Sequence, residues 1–167
     1  MIITLKEYEN GGRIDVYETV NQTTGDFKKI FACCDYFAKK GSITLITPHF
    51  NATTVNKEYE AIYASLKGTA YWGKCPDFCV DGIWYEHEGY DETKDLNDSK
   101  KRVTTFCNMV KRGLRQSDKI ILEDCGVSLR YVRRNIFNRV YCENQIISEV
   151  YFRTSEGLVL LYKNGNG

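Results

Sequence analysis

The chain has 167 residues, with 23 Lys and Arg against 22 Asp and Glu, 43% apolar residues and two prolines. Those values belong to a folded domain and exclude a disordered or low-complexity segment. No apolar run is long enough for a membrane-spanning helix, and Met1 to Tyr8 lacks the flank, apolar stretch and cleavage site of a signal peptide, so a cytoplasmic location is expected.

In chain order, Ile2 to Leu5 suits a short strand, Asn10-Gly11-Gly12 is a turn signal, and Ile14 to Tyr17 alternates apolar and polar residues. Residues 1–25 are therefore expected as an N-terminal extension or hairpin. Gly25-Asp26 opens a helical pattern in which Phe27, Ile30, Phe31, Cys34, Phe37 and Ala38 recur at three- and four-residue steps, with Gly41 as the stop. Ser42 to Thr47 is β-rich and Pro48 ends it. Between residues 51 and 75, Ala61, Ile62, Ala64, Ser65 and Leu66 form a weak helical stripe broken by Gly68 and Gly73. Cys79-Val80 and Ile83 to Glu88 read as strands around Asp81-Gly82, a strong hairpin dipeptide.

A helix is expected from Asp95 to Arg115, with Leu96, Val103, Phe106, Cys107, Val110 and Leu114 on one side. Lys119 to Leu122 reads as a short buried strand. Ser128 caps another helix, whose Leu129, Val132, Ile136, Phe137 and Val140 are expected to face inward. Ile147 to Arg153 and Leu158 to Lys163 read as a closing hairpin. The whole predicts an α+β fold, a central antiparallel sheet packed by helices in a single domain over 26–163, followed by a flexible tail at 164–167.

Seven cysteines at irregular spacings do not describe a disulfide framework, and Cys75-x-x-x-Cys79 has no second pair nearby to complete a zinc site. They read as small buried hydrophobes. Charge is more telling. Residues 81–98 hold seven acids against Lys94, whereas residues 100–139 hold eleven bases against three acids. The helix from Leu129 carries Arg130, Arg133, Arg134 and Arg139. Guanidinium groups bind phosphate oxygens in pairs and displace counterions, so this block suits a phosphate-bearing partner; pairing with the acidic block, or plain solvation of both, is the alternative.

The densest chemistry lies between Pro76 and Glu88. Strand alternation from Ile83 puts Trp84, Glu86 and Glu88 on one face and Ile83, Tyr85 and His87 on the other. With Asp77 alongside, Asp77, Glu86 and Glu88 could form a Mg²⁺ site, or a general acid and base, since crowded carboxylates raise one another's pKa. Outward charge on an edge strand that resists aggregation is the structural alternative. Phosphate-loop, dinucleotide-binding and Gly-x-Ser-x-Gly patterns are all missing from the sequence.

Two resemblances follow from these residues. Pro76-Asp77, with Glu86-x-Glu88 nine residues on from the Asp, resembles the PD-(D/E)xK nuclease pattern. The match implies Mg²⁺ bound by Asp77 and Glu86, while the lysine position holds Glu88 and Lys100 or Lys101 would have to replace it. The second resemblance runs from about Phe27 to Tyr162. Helix, glycine and strand precede Pro76-Asp77-Phe78-x-x-Asp81-Gly82-x-x-Tyr85-Glu86, and a helix then ends in Leu114-Arg115-Gln116-Ser117-Asp118-Lys119-Ile120-Ile121-Leu122. This is similar to the barnase/EndoU/colicin/RelE-like nuclease group, including the C-terminal domains of contact-dependent inhibition toxins and their mobile-element relatives. Asp77, Asp81, Gly82 and Gln116 are the matching positions. The resemblance implies a small α+β domain and metal-independent cleavage of RNA, often tRNA, with no cofactor and with an immunity or regulatory protein as a further partner.

Such cleavage needs a base for the 2′-hydroxyl proton, an acid for the 5′-oxygen and a cation for the phosphorane. On this reading Asp77, Glu86, Glu88 and Arg134 are the catalytic set, with Glu86 favoured over His87 as base and His49 as a second choice of acid. Gln116, Ser117, Arg130, Arg133 and Tyr131 are expected to hold the substrate. Tyr71, Trp72, Trp84, Tyr85 and Tyr90 could stack bases, although most aromatic residues belong in a core. The competing reading is a catalytically degenerate module that binds nucleic acid or protein through the arginine helix.

Overall fold

A computed structural model describes residues 1–51 and 55–165; Asn166 and Gly167, the end of the expected tail, and Ala52 to Thr54 lie outside the described residues. The α+β class holds, and the chain forms two compact units. One comprises Met1–Glu86 with Arg115–Ser117; the other comprises His87–Leu114 and the chain from Asp118 onward. Among the described residues no helix is long and apolar enough to cross a membrane.

In the first unit, β1 (Ile2–Glu7) and β2 (Arg13–Tyr17) form an antiparallel hairpin, and β2 pairs in parallel with β3 (Ile43–Ile46). The connection is α1 (Gly25–Ala38), which starts where the Thr24 side chain accepts the Phe27 N–H. A parallel pair requires a crossover of this kind, so the expected antiparallel sheet is in fact mixed. β3 then pairs antiparallel with β4 (Phe78–Val80), which pairs antiparallel with β5 (Ile83–Glu88). The β4–β5 turn places Asp81 at φ 48° and Gly82 at φ 85°, the left-handed pair that a two-residue hairpin loop of this twist demands. Asp81 also accepts the Ile43 N–H at 2.8 Å, which joins the turn to β3.

One face of these strands lies under α1. Ile14, Val16, Ile46, Phe78 and Tyr85 meet Ile30, Cys33, Cys34 and Phe37, all buried, and the Phe78 and Tyr85 rings stack at 5.6 Å. Residues 1–25 thus contribute core rather than an appended arm. Asp35 on α1 receives Lys6, Tyr8 and Lys39. Burial alone would raise its carboxyl pKa, but those contacts prevail and hold it at about 2. The opposite face meets α2 (Lys57–Tyr63) and the 3-10 turn Ala64–Leu66, where Tyr59, Tyr63 and Leu66 face inward. Of the stripe expected at 61–66, Leu66 is buried and Ile62 half-buried, while Ala61, Ala64 and Ser65 are exposed and Tyr59 and Tyr63 form the rest of the inward face.

In the second unit, α3 (Ser99–Gly113) begins later than expected. Asp98 accepts the Lys100 N–H as the cap, while Asp95 makes a separate turn with Asn97. β6 (Lys119–Glu123) pairs in parallel with β7 (Glu149–Thr154) across α4 (Leu129–Tyr141), and β7 forms the closing hairpin with β8 (Gly157–Lys163). Phe106, Met109, Ile120, Leu122, Ile136 and Phe152 anchor this core. On α4, Val132 and Ile136 point inward, but Leu129 and Phe137 are exposed, contrary to expectation. Phe137 stands about 100° around the helix from Ile136, outside the narrower face that the core accepts.

Two glycines test the first unit's packing. A Cβ at Gly12 would fall 1.9 Å from the Ala38 carbonyl oxygen, whereas at Gly25, in the first turn of α1, it would meet nothing within 4 Å. Urea denaturation should therefore show Gly12→Ala destabilised by about 2–3 kcal/mol and Gly25→Ala stabilised by about 0.5–1 kcal/mol.

Candidate functional site

The strongest side-chain arrangement in the first unit is built where β3 ends and β4 begins. Pro48 cannot continue the ladder, so the chain leaves β3 at Thr47-Pro48 beside the incoming Pro76-Asp77. Thr47 is buried and donates its backbone N–H to the Asp77 carbonyl at 3.1 Å. Its hydroxyl lies 2.8 Å from the Pro76 carbonyl and 3.0 Å from that of Asp77. Tyr63, fully buried, donates to the Pro48 carbonyl at 2.9 Å. Burial above all, with smaller contributions from the neighbouring Cys75, Asp77 and Glu86 charges, pushes the Tyr63 phenol far up and keeps it a donor.

This clamp sets the next residue, His49, on Asp77: Nε2 lies 2.8 Å from Oδ1. The two differ sharply in burial, with the Asp77 side chain 7% exposed and that of His49 63% exposed. The Asp77 hydrogen bond raises the imidazole pKa above 6.5, opposed by partial desolvation and assisted by the Asp77 charge. A buried carboxylate orienting an exposed imidazole leaves the other ring nitrogen available for proton transfer. Extending the β4–β5 register by one residue puts Glu86 directly across from Asp77, on the face that carries Trp84. Glu86 is 6% exposed. Thr47, Asp77 and Glu86 thus form one rung across three strands.

The other predicted residues divide between the units. Gln116 accepts the Cys75 N–H at 3.3 Å and so supports the strand leading to Asp77. Ser117 is buried and donates to the Trp84 carbonyl at 2.9 Å, a structural bond that does not leave it exposed for substrate. Glu88 belongs to the second unit and pairs with Arg112 at 2.8 Å, so the expected cluster of Asp77, Glu86 and Glu88 is not built within one unit. Among the described residues, no group of three or more His, Cys, Asp or Glu is arranged to hold a metal ion. Tyr131 packs edge-on against Phe106, with its hydroxyl 3.6 Å from Cys107 Sγ, and serves the core. Arg130, Arg133 and Arg134 lie exposed on α4.

His87 is a buried histidine of the second unit's core. It lies 2.7 Å from Glu123, which also receives Arg153. Burial works to raise the Glu123 carboxyl, but these two contacts outweigh it and leave its pKa lowered. The partnership of His49 with Asp77 has one signal in the sequence, the placement of Pro48-His49 after one strand and Pro76-Asp77 before the next, and it carries meaning only once β3 and β4 pair. Comparison with protein-family models, curated proteins and solved structures returns no match.

His49 should titrate above 6.5 by NMR, and Asp77→Asn should lower its pKa; an unchanged value would remove the dyad. Because the folded pKa is the raised one, the pair's stabilisation should be complete below the unfolded histidine pKa. It should be lost as pH rises through the folded one, a trend that Asp77→Asn abolishes.

Proposed function

We propose that this chain cleaves RNA by metal-independent acid–base catalysis at the His49–Asp77–Glu86 site. The observation that carries the reading is the exposed His49 ring held 2.8 Å from a buried Asp77, with Glu86 on the next strand of the same rung. The Asp77 hydrogen bond raises the imidazole pKa and so favours the protonated ring that a general acid needs. It can then donate a proton to the departing 5′-oxygen, while Asp77 positions the ring and stabilises its charged form. Glu86 is the base assigned to the 2′-hydroxyl, whose oxygen attacks phosphorus and yields a 2′,3′-cyclic phosphate. The resemblance of Pro76-Asp77-Phe78-x-x-Asp81-Gly82 to the barnase/EndoU/colicin/RelE-like group supports the same reaction class, with cytoplasmic tRNA as the leading substrate and a toxin-related or mobile-element origin. An immunity or regulatory protein would be the corresponding partner.

Purified protein incubated with bulk tRNA should cleave it in EDTA and leave cyclic phosphate ends. His49→Ala and Glu86→Gln should each reduce the rate by about 10²- to 10⁴-fold, and Asp77→Asn should shift the acidic-group pKa in the pH–rate profile downward. Full activity in His49→Ala overturns the assignment. Cleavage only with Mg²⁺ would favour the PD-(D/E)xK reading, and absence of cleavage with retained RNA binding would favour the degenerate binding module.

A further inference from the structure

The second unit carries a surface that the proposed chemistry does not use. On α4, Arg130, Arg133, Arg134, Phe137 and Tyr141 are all exposed, and helical geometry places them within an arc of about 100°. The stripe runs about 16 Å along the axis at 1.5 Å per residue. Helix α4 contains four arginines and no acid. Arg139 is the exception on the wheel: it turns away and binds Asn135 at 2.7 Å and Gln145 at 3.2 Å. Arg130, Arg133 and Arg134 make no ion pair or side-chain hydrogen bond among the described residues. The acidic and basic blocks meet at Glu88 and Arg112, so the pairing alternative is realised there and not at these three arginines.

The aromatic half of the stripe is the second observation. Phe137 is 58% exposed and Tyr141 is 62% exposed, yet their rings are ordered against each other at 4.5 Å. Burying a phenylalanine ring is favourable, a gain this helix forgoes while burying Val132 and Ile136 beside it. Unpaired guanidinium groups next to open aromatic faces meet the two chemical needs of an unpaired nucleic-acid strand: charge against its phosphates and flat apolar surface against its bases.

We propose that this face of α4 binds single-stranded RNA, with Arg130, Arg133 and Arg134 on the phosphates and Phe137 and Tyr141 stacking on bases. Duplex RNA does not fit the same chemistry, because its base faces are already stacked. Stacking carries no base code, so binding is largely independent of sequence. The surface belongs to the other unit from the acid–base residues, and binding there does not require cleavage to occur.

The test is fluorescence anisotropy of the full chain with a labelled 2′-O-methyl RNA oligonucleotide, which cannot be cleaved through its 2′-oxygen. Failure here is thus distinguishable from failure of the nuclease reading. Phe137→Ala and Tyr141→Ala should each weaken binding about tenfold. Arg130→Ala and Arg134→Ala should weaken it and each reduce the slope of log affinity against log salt by about 0.7. Lys111→Ala, an exposed charge removed from α3, should leave affinity within about twofold. All five side chains are at the surface, and circular dichroism should show every variant folded. The proposal is overturned by undetectable binding at low salt, by equal affinity for duplex, or by affinity indifferent to both aromatic substitutions. Self-association that Phe137→Ala abolishes, in place of RNA binding, would overturn it as well.

Discussion

The clamp around Thr47 and Tyr63 is the constraint from which the first unit's chemistry follows. Two chain segments, Thr47-Pro48 and Pro76-Asp77, leave regular pairing together, and each proline removes a backbone donor at that point. The Pro48 and Pro76 carbonyls take their hydrogen bonds from the Tyr63 and Thr47 hydroxyls, and a buried group left unpaired would cost about 1–3 kcal/mol. Satisfying them fixes where the chain emerges after Pro48, and His49 is the first residue it exposes. The imidazole is therefore aimed by backbone bonding behind it rather than by contacts of its own ring beyond Asp77.

The two histidines illustrate how burial separates a structural pair from a reactive one. His87 and Glu123 are both buried, and Arg153 contributes a further charge to the group. Removing Glu123 would leave Arg153 without its carboxylate and His87 without its hydrogen-bond partner, so the trio anchors the ends of β6 and β7. His49 has a carboxylate partner at nearly the same distance but an exposed ring. Its proton can exchange with solvent or substrate, while Asp77 stays in place underneath. The same pair type therefore stabilises one unit and can move protons in the other.

Local signals in the sequence were read well where the physics is local. Asp81-Gly82 marks a two-residue turn because few other residues tolerate two successive positive φ angles, and Ser128 marks α4 because its hydroxyl accepts the Tyr131 N–H. Parallel pairing was invisible: nothing in Arg13 to Tyr17 or Ile43 to Ile46 states which neighbour each strand will choose across a helix. His49 and Asp77 lie 28 residues apart, so their contact depends on that same non-local choice. Phe137 departs from its expected burial for another reason. Apolar spacing gives the width of a helix's apolar face, but packing decides how much of that width the core covers.

That distinction between apolar and buried bears on the charge pattern too. A net charge of +1 conceals a helix with four arginines, and spacing alone cannot tell whether acids elsewhere cancel them. The structure pairs Glu88 with Arg112 and Glu123 with Arg153, while the outward arginines of α4 remain without acidic partners among the described residues. Three like charges within four or five residues repel one another along a helix, a modest but persistent cost. An anionic strand would relieve that repulsion and cover the exposed rings in the same step. Charge and aromatic exposure on α4 thus have one common remedy, whereas a purely apolar partner would cover the rings and leave the arginines desolvated.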